Sequence, residues 1–102
     1  MALELRPNCE YCDKDLAPDA TDARICSYEC TFCARCTDAM AGRCPNCGGG
    51  VMARPIRPAR EWRSGVSRAR QPASMKRVGL SYSREEIALF VREVAAIPPE
   101  KR

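Results

Sequence analysis

Cys26-Ser-Tyr-Glu-Cys30-Thr-Phe-Cys33-Ala-Arg-Cys36 places four cysteines within eleven residues. It lies between two further pairs, Cys9/Cys12 upstream and Cys44/Cys47 downstream. All eight cysteines of the 102-residue chain belong to these four pairs. Two cysteines at such spacing can put two sulfurs on one metal ion. Zinc takes four ligands in a tetrahedron, so four pairs complete two sites with none left over. Sites closed by four thiolates have no position for water or substrate, which points to a structural role.

The stretch from about Leu5 to Met52 is too short to bury a self-sufficient apolar core. Leu16, Ile25, Phe32 and Met40 are among its few large apolar residues outside cysteine. A structural zinc contributes on the order of 10 kcal/mol to folding, so two ions decide the stability. Disulfides and iron are the competing uses of such cysteines. Met1-Ala-Leu-Glu-Leu-Arg-Pro-Asn8 has no apolar run and no cleavage signal, so a cytoplasmic location with reduced thiols is expected. No segment reaches membrane-spanning length, and neither a membrane nor a small-molecule substrate is expected as partner.

Charge is segregated. Residues 1–50 hold five Lys/Arg against eight Asp/Glu, and residues 51–80 hold eight Lys/Arg against Glu61 alone. Residues 81–102 hold four of each. The organisation expected is a double-zinc domain over 1–52, a basic arm over 53–80, and a helix with its tail over 81–102. Residues 23–33 suit a short hairpin. Residues 34–41 suit a short helix stopped by Gly42. In Cys44-Pro-Asn-Cys47-Gly-Gly-Gly50, glycine after the second cysteine lets amides face the sulfurs, while the triplet reads as a flexible exit. The arm has little to bury, and Pro55 and Pro58 favour an extended, mobile, polyproline-like course. Ser83-Arg-Glu-Glu86 is a capping box. The helix it opens, residues 84–97, carries Ile87, Phe90, Val91, Val94 and Ile97 on one face and stops at Pro98-Pro99.

Two pairings are compatible with the spacing. A sequential scheme joins the first pair to the second and the third to the fourth. A cross-brace puts Cys9, Cys12, Cys33 and Cys36 on one ion and Cys26, Cys30, Cys44 and Cys47 on the other. A central hairpin feeding both ions from its two ends favours the cross-brace.

This order resembles the RING finger. Cys30-Thr-Phe-Cys33 is similar to that family's H-x-F-C step with Cys30 in place of histidine, and Cys44-Pro-Asn-Cys47 to its closing knuckle. The resemblance implies two zinc ions on a RING-like, treble-clef scaffold. The basic residue common after the last cysteine in ubiquitin-ligase RINGs is replaced by Gly48-Gly-Gly50. The large apolar residue before the last pair is missing. A ligase-like adaptor is therefore a lesser alternative, as is a redox-sensitive zinc switch.

A wider resemblance is to a family of small bacterial cysteine-rich proteins known as domain of unknown function 1272. It rests on Leu5-Arg-Pro-Asn-Cys9, Cys12-Asp-Lys-Asp-Leu16, Ile25-Cys-Ser-Tyr-Glu-Cys-Thr-Phe-Cys33 and Cys44-Pro-Asn-Cys-Gly-Gly49. It spans residues 3–77, with Ser81 onward an addition. It implies a bacterial, cytoplasmic zinc protein and brings no activity with it.

The expected function is binding, without catalysis. The chain has no histidine, no nucleophile–base motif and no phosphate loop. Protein is the expected partner, through Ile87, Phe90, Val91 and Val94. The alternative is nucleic acid on the arm, with Arg54, Arg57, Arg60 and Arg63 on phosphates and Trp62 stacked on a base.

Overall fold

A computed structural model describes residues 2–102. At its centre is a short hairpin. Strand β1 (Ala23–Ile25) turns Ala23 and Ile25 inward, and strand β2 (Thr31–Cys33) is buried throughout. They pair antiparallel with Ala23 opposite Cys33 and Ile25 opposite Thr31. Strand β3 (Met52–Ala53) pairs antiparallel with the free edge of β1, giving the order β2-β1-β3. Phe32 is fully buried, among Leu16, Met40, Val51 and six of the cysteines.

Helix α1 (Ala34–Ala39) follows β2 directly. The Ala34 amide donates to Asp22 O at 2.8 Å, which ties the first turn to the loop before β1. It stops two residues short of the expected Ala41. Ala41 and Gly42 both take positive φ, and the Gly42 amide returns to Thr37 O at 2.9 Å. Left-handed residues at a helix end satisfy the last carbonyls in this way.

The basic arm departs from its expected mobility. Residues 54–80 contain no helix or strand, yet they wrap the cysteine lobe through specific polar contacts. Ser74 N donates to Leu5 O at 3.0 Å, and Leu80 N to Glu10 O at 3.1 Å. Asn8, 1 % exposed, donates from Nδ2 to Val78 O at 2.8 Å and accepts from Val78 N at 3.1 Å. Arg77 bridges Asp13 and Asp15 at 2.8 and 2.7 Å. A count of apolar residues missed this, because what anchors the arm is the lobe's carbonyls and carboxylates.

Arg54 is the clearest case. It is 4 % exposed and donates from its two terminal nitrogens to Arg6 O and Ala17 O, each at 2.9 Å. It thereby joins the N-terminal segment and the loop before β1 to the end of β3. Its Nε is buried without a partner. Burial, helped by the neighbouring Arg57 charge, holds its pKa below the usual guanidinium value.

Helix α2 (Arg84–Ala95) carries the expected capping box: Glu86 N donates to Ser83 Oγ at 3.1 Å, and Ser83 N to Glu86 Oε1 at 3.0 Å. Ile87 and Val94 are buried, Phe90 and Val91 half-buried, and Ile97 lies exposed beyond the helix. Gly48 sits beneath α2 with φ +78°. A Cβ there would lie 3.5 Å from Val94 and 3.6 Å from Phe90. Gly48 is therefore a seat for α2, while Gly50 bridges back to Arg43.

Two substitutions follow from these contacts. Arg54→Lys, which cannot span both carbonyls, is expected to cost about 1–3 kcal/mol in chemical denaturation. Val94→Asp would bury an unpaired carboxylate against Gly48. Amide exchange is expected to accelerate across 84–95 while β1 and β2 stay protected.

Candidate metal centre

The hairpin presents cysteines at both of its ends. Cys33 closes β2 opposite Ala23, and Cys26 and Cys30 bound the turn, where Cys26 N donates to Cys30 O at 3.1 Å. Three residues of strand separate the two ends by about 10 Å.

At the first end, the Sγ atoms of Cys9, Cys12, Cys33 and Cys36 all lie within 4.8 Å of one another. Cys12 and Cys33 are 3.9 Å apart. Tetrahedral zinc–sulfur bonds of ~2.3 Å put sulfurs about 3.8 Å apart, so the group fits such an ion. At the other end Cys26, Cys44 and Cys47 form a second group under the same limit. Cys30, expected as its fourth member, stands outside that limit, and its sulfur accepts from Asn46 Nδ2 at 3.4 Å. The clusters interleave along the chain: Cys12 lies with Cys33 and Cys36, not with Cys26.

The outer knuckles share one construction. Cys9 N donates to Lys14 O and Cys44 N to Gly49 O, both at 2.8 Å. Asp13 N returns to Cys9 O and Gly48 N to Cys44 O, again both at 2.8 Å. Each knuckle thus needs a left-handed residue after its second cysteine. Gly48 takes φ +78° and Asp13 takes φ +65°. Only the glycine was visible in the sequence. Aspartate tolerates this region at modest cost, and that was the available signal.

Amides aim at the sulfurs. Tyr28 N reaches Cys26 Sγ at 3.3 Å, Asn46 N reaches Cys44 Sγ at 3.4 Å, and Gly49 N reaches Cys47 Sγ at 3.4 Å. Such donors favour thiolate over thiol. Burial works the other way. It pushes the Cys9, Cys30, Cys36 and Cys44 thiols above their ordinary range, and crowding by Cys33 and Cys12 adds to the effect at Cys36. At Cys12 burial also raises the pKa, but the Lys14 amide and the neighbouring sulfurs together hold it low. A central cation reverses the balance and favours thiolate throughout.

Glu10 lies inside the first knuckle and is buried. Its Oε2 accepts from Thr31 N at 2.6 Å and from Arg6 at 2.9 Å, while its amide donates to Thr31 O at 2.9 Å. It joins the knuckle to β2. Sequence inspection passed over it, although a carboxylate between two cysteines in an acidic stretch gave no separate signal.

The residues expected on nucleic acid divide. Arg54 is consumed inside the fold, which removes it from that role. Arg57 donates to Gln71 O and Leu3 O. Arg60 lies over the Trp62 ring at 4.4 Å; Trp62 is 68 % exposed, and Arg63 is also exposed. Of the residues expected on a partner, Ile87 and Val94 are spent on the chain's own lobe, and Phe90 and Val91 keep partial exposure. No helix among the described residues is long and apolar enough to cross a membrane.

A short antiparallel sheet with helices and two cysteine clusters defines a small cysteine-rich domain able to bind metal. The chain belongs to the family described as protein of unknown function DUF1272, whose model matches residues 2–57. That match ends at residue 57, short of the expected 77, so most of the wrapped arm and all of α2 lie outside it. An uncharacterized protein of Rhizobium meliloti (strain 1021) is 62 % identical over 58 residues, covering 56 % of this chain and 69 % of the relative. No solved structure matches.

If the clusters hold metal, chelation is expected to abolish amide dispersion across residues 9–50, because the apolar core is small. Sulfur binds metal as thiolate, so acidification returns protons and releases the ion. Metal occupancy should therefore rise with pH, and loading should release protons, both measurable by calorimetry in buffers of differing ionisation enthalpy. A chain that keeps its dispersion without metal contradicts this account.

Proposed function

We propose that this chain is a zinc-stabilised, non-catalytic protein-interaction module on a RING-like cross-brace, working in the reducing cytoplasm. Cys9, Cys12, Cys33 and Cys36 hold one zinc ion. Cys26, Cys44 and Cys47 hold the second, with Cys30 rotating in as fourth ligand. The observation that carries this is the interleaving of the two clusters at opposite ends of one hairpin. Two closed ions there brace a lobe that has little apolar interior of its own. Four thiolates complete a tetrahedron and leave no position for a substrate, which supports a structural role for the metal. The rigid lobe then presents surfaces, and the partner is protein.

Nucleic-acid binding by the arm is the second reading. The exposed Arg60–Trp62 stack, with Arg63 beside it, favours it, since an aromatic face and guanidinium groups suit single strands. Against it stand the arm arginines already committed to carbonyls.

Elemental analysis of the purified chain is expected to give two zinc ions per chain; iron would overturn the metal assignment. Titration with a labelled single-stranded oligonucleotide is expected to show weak binding that Trp62→Ala leaves unchanged. Tight binding that falls with salt at a slope of about −0.7 per phosphate contact, and is lost in Trp62→Ala, would replace the protein-partner reading with the nucleic-acid one.

A further inference from the structure

Helices α1 and α2 border a groove of about 280 Å³ that runs from the end of α1 along the flank of α2 next to the lobe. It continues past Tyr11 and Ala39 into a second hollow beside Cys12. Arg43, Arg84 and Arg92 line the first part, and Arg35 and Arg84 the second. No acidic residue lines either part. None of the four arginines makes an ion pair among the described residues, whereas Arg6, Arg70 and Arg77 all do. Arg84 stacks on Tyr11 at 4.2 Å, which holds its guanidinium at the rim. Arg43 uses one terminal nitrogen on Ala41 O at 2.6 Å, and its Nε is buried without an acceptor. The floor between these charges is apolar, formed by half-buried Val91 with Ala88 and Ala95, over the buried Met40 and Ile87.

We propose that this groove docks an acidic peptide segment of a partner protein, its carboxylates on the arginines and one apolar side chain on the floor. The proposal rests on the protein-interaction function above and names the chemistry of the partner. Charge complementarity is the first reason. Four guanidinium groups without a wall carboxylate suit Asp or Glu, which arginine engages in a bidentate manner. The apolar floor is the second, because it fits an aliphatic or aromatic side chain and does nothing for a sugar-phosphate backbone. Size and surroundings are the third. Beyond the groove lies a lobe whose residues 1–50 carry eight acidic against five basic side chains, and thiolate clusters add negative charge. A short peptide fits within the arginine lining, whereas a long polyanion would run onto the acidic lobe.

Arg35 and Arg84 stand beside Cys12 and also offset thiolate charge there. Arg92 and Arg43 are in the part of the groove that no cysteine lines, so Arg92 separates the two roles.

The test uses the metal-loaded full chain and a fluorescein-labelled peptide with a central Leu-Phe pair between Asp and Glu residues. Fluorescence anisotropy is expected to report binding. Arg92→Glu should weaken it about tenfold or more, Arg92→Gln by less, and the charge-matched Arg63→Glu, outside the groove, by no more than about twofold. A polyglutamate peptide without the apolar pair should bind more weakly. Amide shifts on titration should fall on α1, Tyr11 and α2, and they locate the peptide even if a variant is poorly folded. Absence of peptide binding overturns the proposal, as do equal losses in Arg63→Glu and Arg92→Glu. An oligonucleotide that displaces the peptide from the groove also overturns it. Failure of the peptide alone, with oligonucleotide binding still weak and independent of Trp62, removes this groove and leaves the interaction module. Salt-steep, Trp62-dependent oligonucleotide binding removes the module itself.

Discussion

Everything in this fold hangs on the β1–β2 hairpin holding cysteines at both of its ends. Three paired residues per strand make a ladder too short to persist in water by itself. The sulfurs gathered at each end are placed to hold a cation, and a cation there would convert that ladder into a brace. Cys33 and Cys36 reach toward the first knuckle from one end, and Cys26 reaches toward the last knuckle from the other. The apolar cluster around Phe32 fills the space between them and is itself largely cysteine. The residues placed to coordinate metal are therefore also the ones that fill the apolar interior.

The rest of the chain is attached to this brace by polar contacts. Glu10 links a knuckle to β2, Arg54 gathers two carbonyls, and Asn8 exchanges hydrogen bonds with Val78. Each joins segments far apart in sequence, and each is buried. A domain with little apolar interior can still order a long segment this way, because an unmade buried hydrogen bond costs as much as a lost apolar contact. Helix α2 is attached differently, by a few apolar side chains on Gly48 and the Met40 region. It lies outside the family match, so the groove it forms with α1 is a property of this chain and need not recur across the family.

The cysteine pairs, the hairpin between them and the capped C-terminal helix were all legible in the order of residues. Ligand spacing, strand alternation and a capping box are local patterns, and local geometry suffices to read them. The same local logic failed at Ala41, where the helix ends early, and at Gly48, where a supposed exit begins with a seat for α2. It also failed for Arg54, which by composition belonged to a solvated basic arm.

What the sequence determined by itself is which residues carry sulfur, where the chain turns and where α2 begins, since each depends on neighbours a few positions away. Only the tertiary structure decided that Cys12 lies with Cys33, and that Cys30, beside Cys26 and Cys44, takes a hydrogen bond from Asn46. Only there do Asp13 and Gly48 appear as equivalent, and do four arginines from three segments face one groove. These are relations between residues tens of positions apart. They arise when carbonyls, carboxylates and sulfurs compete for the same few donors and cations, and a linear pattern does not record the outcome of that competition.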